Sequence, residues 1–280
     1  MITKTHQWPM NGAECKEEKE PLREESLGGG IMHYVLSDIH GDSNAFEAVL
    51  TMISLQPNDH LYVLGDVVDR GPDGIALLQR IREMENTTLL LGNHEYMMVK
   101  ALRNRYDDWA QYQWRRNGCE ETWKHFFQLS PGEREDLLQY VEALPLQTEV
   151  EVGGRTFVLV HAAPKELYSP YYWRYEDERE FVVWQRLNLK RVIEGKTVIF
   201  GHTPTENVQR TEGSNMRIAH GDGVIDIDCG CAYPQYGGQL GCLRLEDFTE
   251  FYSADGIVTA AEAAAWKEEQ IAKTQKDIKG

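Results

Sequence analysis

From Ile31 onward the chain alternates between short apolar runs and longer stretches in which apolar residues recur every three or four positions. Runs rich in β-branched and aromatic residues predict strands at Met32–Leu36, His60–Leu64, Thr88–Leu91, Thr156–Val160, Thr197–Phe200 and Val224–Ile227. Helices are expected over Asn44–Ser54, where Ala45, Phe46, Val49, Leu50 and Ile53 share a face, and over Gly74–Met84, where Ile75, Leu78, Ile81 and Met84 do. Alternation of this kind predicts a layered α/β chain. The stretch from Tyr96 to Leu144 has no strand pattern. It holds a Trp- and Arg-rich segment and then Ser130-Pro131-Gly132-Glu133, a capping box opening a helix through Leu137, Leu138 and Val141, so a helical insertion packed on the core is expected.

Residues 1–30 are polar, carry the run Lys16-Glu17-Glu18-Lys19-Glu20 and end in Leu27-Gly28-Gly29-Gly30, which predicts a disordered acidic tail before a domain at 31–254. The Ala-, Glu- and Lys-rich end predicts a peripheral helix within 255–280. With 280 residues, 41% hydrophobic and 26% charged, the chain has globular composition. Asp and Glu number 45 against 29 Lys and Arg, a net charge of -16 that argues against nucleic acid and anionic lipid as partners. No apolar run reaches the roughly 20 residues of a membrane span, and the first residues lack the apolar core of an export signal. Five cysteines, an odd number, fit reduced thiols, and a cytoplasmic location is expected. Cys229-x-Cys231 is too short and too isolated for a metal knuckle and reads as structural.

The chemistry follows the strands. The first expected strand runs into Ser37-Asp38-Ile39-His40-Gly41, the second into Gly65-Asp66-Val67-Val68-Asp69-Arg70-Gly71 and the third into Gly92-Asn93-His94-Glu95; the fourth ends at His161 and the fifth at Gly201-His202-Thr203. The carboxyl ends of strands in open α/β sheets face the ligand crevice, so these side chains are expected to converge. Asp, Asn and His without thiolate suit Mn, Fe, Zn or Ni. A carboxylate that bridges two divalent ions would prepare a site for in-line phosphoryl displacement, which points to phosphoester hydrolysis.

In order and spacing these five segments resemble the signatures of the PPP-type metallophosphatases, a group that includes Ser/Thr protein phosphatases, the phage lambda phosphatase and symmetrical diadenosine tetraphosphatases. The resemblance implies a layered β-sandwich flanked by helices and a dinuclear centre, with manganese favoured. In that pattern Asp38, His40 and Asp66 hold one metal, and Asp66 bridges to a second completed by Asn93, His161 and His202. It also implies that His94 is the general acid, that Asp69 supports it, and that Arg70 grips the phosphoryl group beside Asn93. Val183-Trp184-Gln185-Arg186 resembles the segment supplying a second arginine, Arg186. Ile225-Asp226-Ile227-Asp228-Cys229-Gly230-Cys231-Ala232-Tyr233 and Gly237-Gly238-Gln239-Leu240 resemble the segment after the last ligand in bacterial and phage members. Ser37 and Ala162-Ala163 depart from the glycines usual there.

The substrate expected is a phosphoserine or phosphothreonine protein, because diadenosine tetraphosphatases commonly replace the residue at Asp69. The alternatives are a dinucleoside polyphosphate or a phosphorylated small molecule. The cluster Tyr168, Tyr171, Tyr172, Trp173 and Tyr175 is either a substrate platform or packing.

Overall fold

The computed structural model describes residues 30–209, 216–265 and 268. The tail expected over 1–30 lies outside the described residues except for Gly30, as do most residues of the expected terminal helix. The first half of the chain runs β1 (His33–Leu36), α1 (Ser43–Ile53), β2 (His60–Val63), α2 (Gly74–Glu83) and β3 (Thr87–Leu89). Four helices follow: α3 (Asn93–Arg103), α4 (Asp108–Arg116), α5 (Glu120–Gln128) and α6 (Pro131–Glu142). The second half runs β4 (Gln147–Val152), β5 (Arg155–Val160), α7 (Glu178–Trp184), β6 (Thr197–Phe200) and the short α8 (Thr205–Gln209). It ends in β7 (Ala219–His220), β8 (Val224–Asp226), β9 (Gly241–Arg244), β10 (Glu250–Tyr252) and β11 (Gly256–Val258).

The described strands form two mixed sheets, ordered β11-β10-β9-β1-β2-β3 and β4-β5-β6-β8-β7. In the first, β1 pairs parallel with β2 and antiparallel with β9, with Val35 opposite both Tyr62 and Leu243. In the second, β5, β6 and β8 run parallel. Apolar side chains then settle the layers. Val35, Leu64 and Leu90 from the first sheet meet Phe157, Leu159, Ile199 and Ile225 from the second in one buried cluster between the sheets. The other face of the first sheet, through Leu36, Leu61 and Val63, packs on α1, α2, α3 and α6. The other face of the second, through Val158, Val160 and Val198, packs on α7. The result is a β-sandwich with helices on both outer faces.

The expected capping box forms at α6, where Glu133 N–H donates to Ser130 Oγ and Ser130 N–H to Glu133 Oε2. Helices α3 to α6 constitute the expected insertion, with Trp114, Phe126 and Leu137 buried in the same cluster as the first sheet. The C-terminal boundary moves: Gly256–Val258 is a strand paired with β10, not the start of a helix, and helical backbone begins at residue 260. Among the described residues no helix is long and apolar enough to cross a membrane.

Candidate active site

Parallel strands β1, β2, β5 and β6 end on the same side, and the residues after them carry unusual backbone. Asp38 and His40 (φ 57° and 48°), Asp66, Asp69 and Arg70 (54°, 70° and 71°) and His202 (68°) are all left-handed. Each such non-glycine position costs on the order of 1 kcal/mol and persists only where its surroundings hold it. The holding bonds are visible. His40 N–H donates to Asp66 C=O at 2.9 Å and Asp38 N–H to Gly65 C=O at 3.1 Å, so the turns after β1 and β2 lock each other. Glu95, fully buried on α3, accepts from the backbone N–H groups of Asp66, Val67, Val68 and Gly92 at 2.8–3.1 Å. Gly92 is required there, because a Cβ would collide with the backbone nitrogen and carboxylate of Asp66.

These turns bring the six expected ligands together. His40 Nε2 lies 3.8 Å from Asp38 Oδ1 and 3.7 Å from Asp66 Oδ2, and His161 Nε2 lies 3.4 Å from Asp66 Oδ1. Asn93 Oδ1 is 2.9 Å from His161 Nε2 and 2.7 Å from His202 Nδ1. Ser37, where glycine was expected, donates its hydroxyl to Asp38 Oδ2 at 2.6 Å, and His202 N–H donates to the same oxygen. The departure therefore steadies this carboxylate.

The proton inventory fits a cation site. His40 Nδ1 faces Val68 C=O and His161 Nδ1 faces Leu64 C=O, and a carbonyl only accepts, so both Nδ1 atoms carry hydrogen and both Nε2 atoms present lone pairs. Burial holds His40, His161 and His202 below the ordinary imidazole range, hence neutral. Burial, with Asp38 and then Glu95 nearby, pushes Asp66 well above the carboxylate range. His161 Nε2 thus turns its lone pair toward the Asn93 and Asp66 oxygens, and among the described residues His202 Nε2 is buried without a partner. A divalent cation placed among these atoms would satisfy the lone pairs that converge there. Asp66, His161 and His202 offer donor atoms all within 4.8 Å of one another, and so do His40, Asp66 and His94.

Beside this cluster His94 Nδ1 donates to Asp69 Oδ2 at 2.7 Å, with both side chains buried. Burial raises the Asp69 carboxyl to about 8 against the opposing bonds from Thr122 and Trp114. Arg70 reaches across to His40 Nε2 at 2.9 Å and His94 Nε2 at 3.2 Å, its guanidinium 5.3 Å from the centre of the Tyr233 ring. Arg186 lines the same cavity, of about 300 Å³, and its charge contributes to lowering His202.

Residues 34–260 match the calcineurin-like phosphoesterase family. The chain belongs to that family. As a calcineurin-like phosphoesterase it is 30% identical over 221 residues to serine/threonine-protein phosphatase 1 of Salmonella typhimurium, covering 76% of this chain and 91% of that protein. It is 36% identical over 131 residues to the symmetrical bis(5'-nucleosyl)-tetraphosphatase of an Acidovorax species, covering 46% of this chain and only 43% of that protein. Its fold resembles that of the cold-active protein-tyrosine phosphatase of a psychrophilic Shewanella, with 16% identity and a TM-score of 0.50 over 82% of this chain and 80% of that one. The family implies a dinuclear divalent metal site, and the donor set just described fits one.

The aromatic cluster has a different place from a substrate platform. Tyr168, Tyr172 and Tyr175 pack around Phe181 of α7, with ring centroids 5.4–5.5 Å away, and none lines the phosphoesterase cavity. The aromatic wall there is Trp184, Tyr233 and Tyr236. In the sequence Tyr233 closes the segment that resembles bacterial and phage members but carried no expected role, and Tyr236 falls just outside it; a three-residue helical turn at Pro234–Tyr236 presents them.

Proposed function

We propose that this metallophosphoesterase hydrolyses phosphoserine and phosphothreonine monoesters in proteins. The observation that carries this reading is the buried His94–Asp69 pair opening onto a cavity with two arginines. A serine or threonine alkoxide is a poor leaving group, so its expulsion depends on a general acid, whereas a nucleoside polyphosphate departs with less help. The broad alignment with serine/threonine-protein phosphatase 1 supports the same choice.

In this reading Asp38, His40, Asp66, Asn93, His161 and His202 hold the two divalent ions. When bound, the ions polarise the phosphoryl group and acidify water. Arg70 and Arg186 orient the phosphoryl oxygens, Arg70 through a planar fork of donors. In the resting geometry Arg70 donates to His94 Nε2, so that nitrogen carries no proton. Burial and then the Arg70 charge hold His94 well below the ordinary imidazole range; a phosphoryl group that draws Arg70 away eases the second, and Asp69 on Nδ1, ionising beside the ring, stabilises the imidazolium formed when Nε2 takes a proton from water. The ring then gives its Nε2 proton to the leaving oxygen.

A second reading, cleavage of dinucleoside polyphosphates, is favoured by Tyr233 and Tyr236 on the cavity wall, where an adenine ring could stack. The deciding experiment compares kcat/KM for a phosphothreonine peptide and diadenosine tetraphosphate on manganese-reconstituted protein. Preference for the peptide is expected. Preference for the dinucleotide, lost in Tyr236→Ala, would replace the first reading with the second.

A further inference from the structure

The turn after β2 puts two consecutive non-glycine residues, Asp69 and Arg70, in the left-handed region. Neither holds itself there. The bonds that fix their backbone N–H groups, and the indole bond to the Asp69 carboxyl, come from the helical insertion. Trp114 of α4 donates its indole N–H to Asp69 Oδ2 at 2.9 Å and to Oδ1 at 3.2 Å. Asp69 N–H donates to Thr122 Oγ1 of α5 at 2.8 Å, and Arg70 N–H to the Gly118 carbonyl between those helices at 2.8 Å. Trp114 and Thr122 are each 1% exposed, and neither lines the cavity.

A buried tryptophan must find some acceptor, and many find a backbone carbonyl. Trp114 instead straddles both oxygens of the one carboxylate that meets His94 Nδ1. The indole therefore selects the orientation of Asp69, and Thr122 fixes where its backbone stands. Through Asp69 they set the direction in which His94 presents Nε2. We propose that the α4–α5 insertion belongs to the catalytic apparatus, with Trp114 and Thr122 as positioning residues that hold the Asp69–His94 pair in register with the leaving oxygen. This inference rests on the reading of His94 as the general acid.

The consequence is specific to leaving groups. A misdirected acid penalises expulsion of a basic oxygen and spares expulsion of a stable phenolate. On manganese-reconstituted full-length protein, kcat and KM would be measured with phenyl phosphate and with 4-nitrophenyl phosphate. Trp114→Phe and the isosteric Thr122→Val are expected to lower kcat for phenyl phosphate by about 10²-fold, the scale of an ångström-level misplacement. Turnover of 4-nitrophenyl phosphate should fall only a few-fold, KM should hold for both, and Thr122→Ser, which keeps the acceptor, should restore wild-type behaviour. A fall by the same factor on both substrates, or none on either, would reduce the two residues to packing and overturn the inference. His94→Asn separates the levels. If it discriminates between the substrates while Trp114→Phe and Thr122→Val do not, the positioning role alone is lost; if it does not discriminate, the acid role falls and the inference falls with it.

Discussion

Helix α3 ties itself to its surroundings with a charged side chain near each end, and the two ties differ in what replaces them when broken. Glu95 is fully buried and receives four backbone N–H groups from the turn after β2 and from Gly92. Arg103 lies at the surface, with Nε and Nη2 on Glu142 and Nη1 on Glu135 of α6, all at 2.7 Å. By distance alone the outer tie is the better one. Water, however, stands ready to solvate Arg103 and its partners, while nothing stands ready to accept from the amides that Glu95 serves. The value of a polar contact in this molecule therefore depends on its alternative, and the costly contacts gather beneath the cavity.

Four substitutions break or sharpen that contrast, in decreasing order of effect. Asp66→Asn removes a charge that several buried donor atoms share, and elemental analysis should find fewer than two ions per chain with turnover lost; two ions retained would dismiss a bridging role. His94→Asn, one residue before Glu95, should leave metal content unchanged and lower kcat by about 10² to 10⁴, the range of a general acid; wild-type kcat would remove it from the mechanism. Glu95→Gln keeps the shape but turns one acceptor oxygen into an NH2 against two backbone donors, and chemical denaturation should register a loss of about 2–3 kcal/mol. An unchanged midpoint there would mean the turn holds itself. Arg103→Ala should lower Tm by a few degrees at most. Arg103 holds the Glu135 and Glu142 carboxyls below their ordinary 4.5, so the stability it adds is present above that pH and fades as pH falls through the depressed values. Thermal melts of variant and parent should accordingly converge in acid; a gap that widened there would contradict the sign.

The inner strands were legible because burial on both faces writes them as continuous apolar runs: β1, β2, β5 and β6 lie where expected to within a residue or so. Strand β4, Gln147–Val152, was missed because it sits at a sheet edge and alternates Glu149 and Glu151 with apolar residues. Strands β9 to β11 are three or four residues long and interrupted by turns, and β10 even buries a glutamate, Glu250, against Tyr252 and His220. The expected ligands were legible because each follows a strand directly. Trp114, Thr122, Tyr233 and Tyr236 were not, because their roles come from tertiary placement by elements distant in sequence. The Tyr168–Tyr175 cluster stayed open between platform and packing for the same reason, and the rings of Tyr168, Tyr172 and Tyr175 on Phe181 decide for packing: aromatic density says nothing about which way the rings face.

One pairing has a consequence for how the molecule is made. Strand β1, among the first described residues, is flanked on one side by β9, and His33 N–H is received by Glu246, 213 residues later. During synthesis the inner edge of β1 must wait, unpaired, while the ribosome produces nearly the whole catalytic half-shell and the second sheet. Domains with such non-local closure fold slowly and expose sticky edges meanwhile. Nascent chains stalled before residue 241 should therefore bind holdase chaperones and lack the β9–β11 half of the first sheet, whatever the state of the cavity-forming turns.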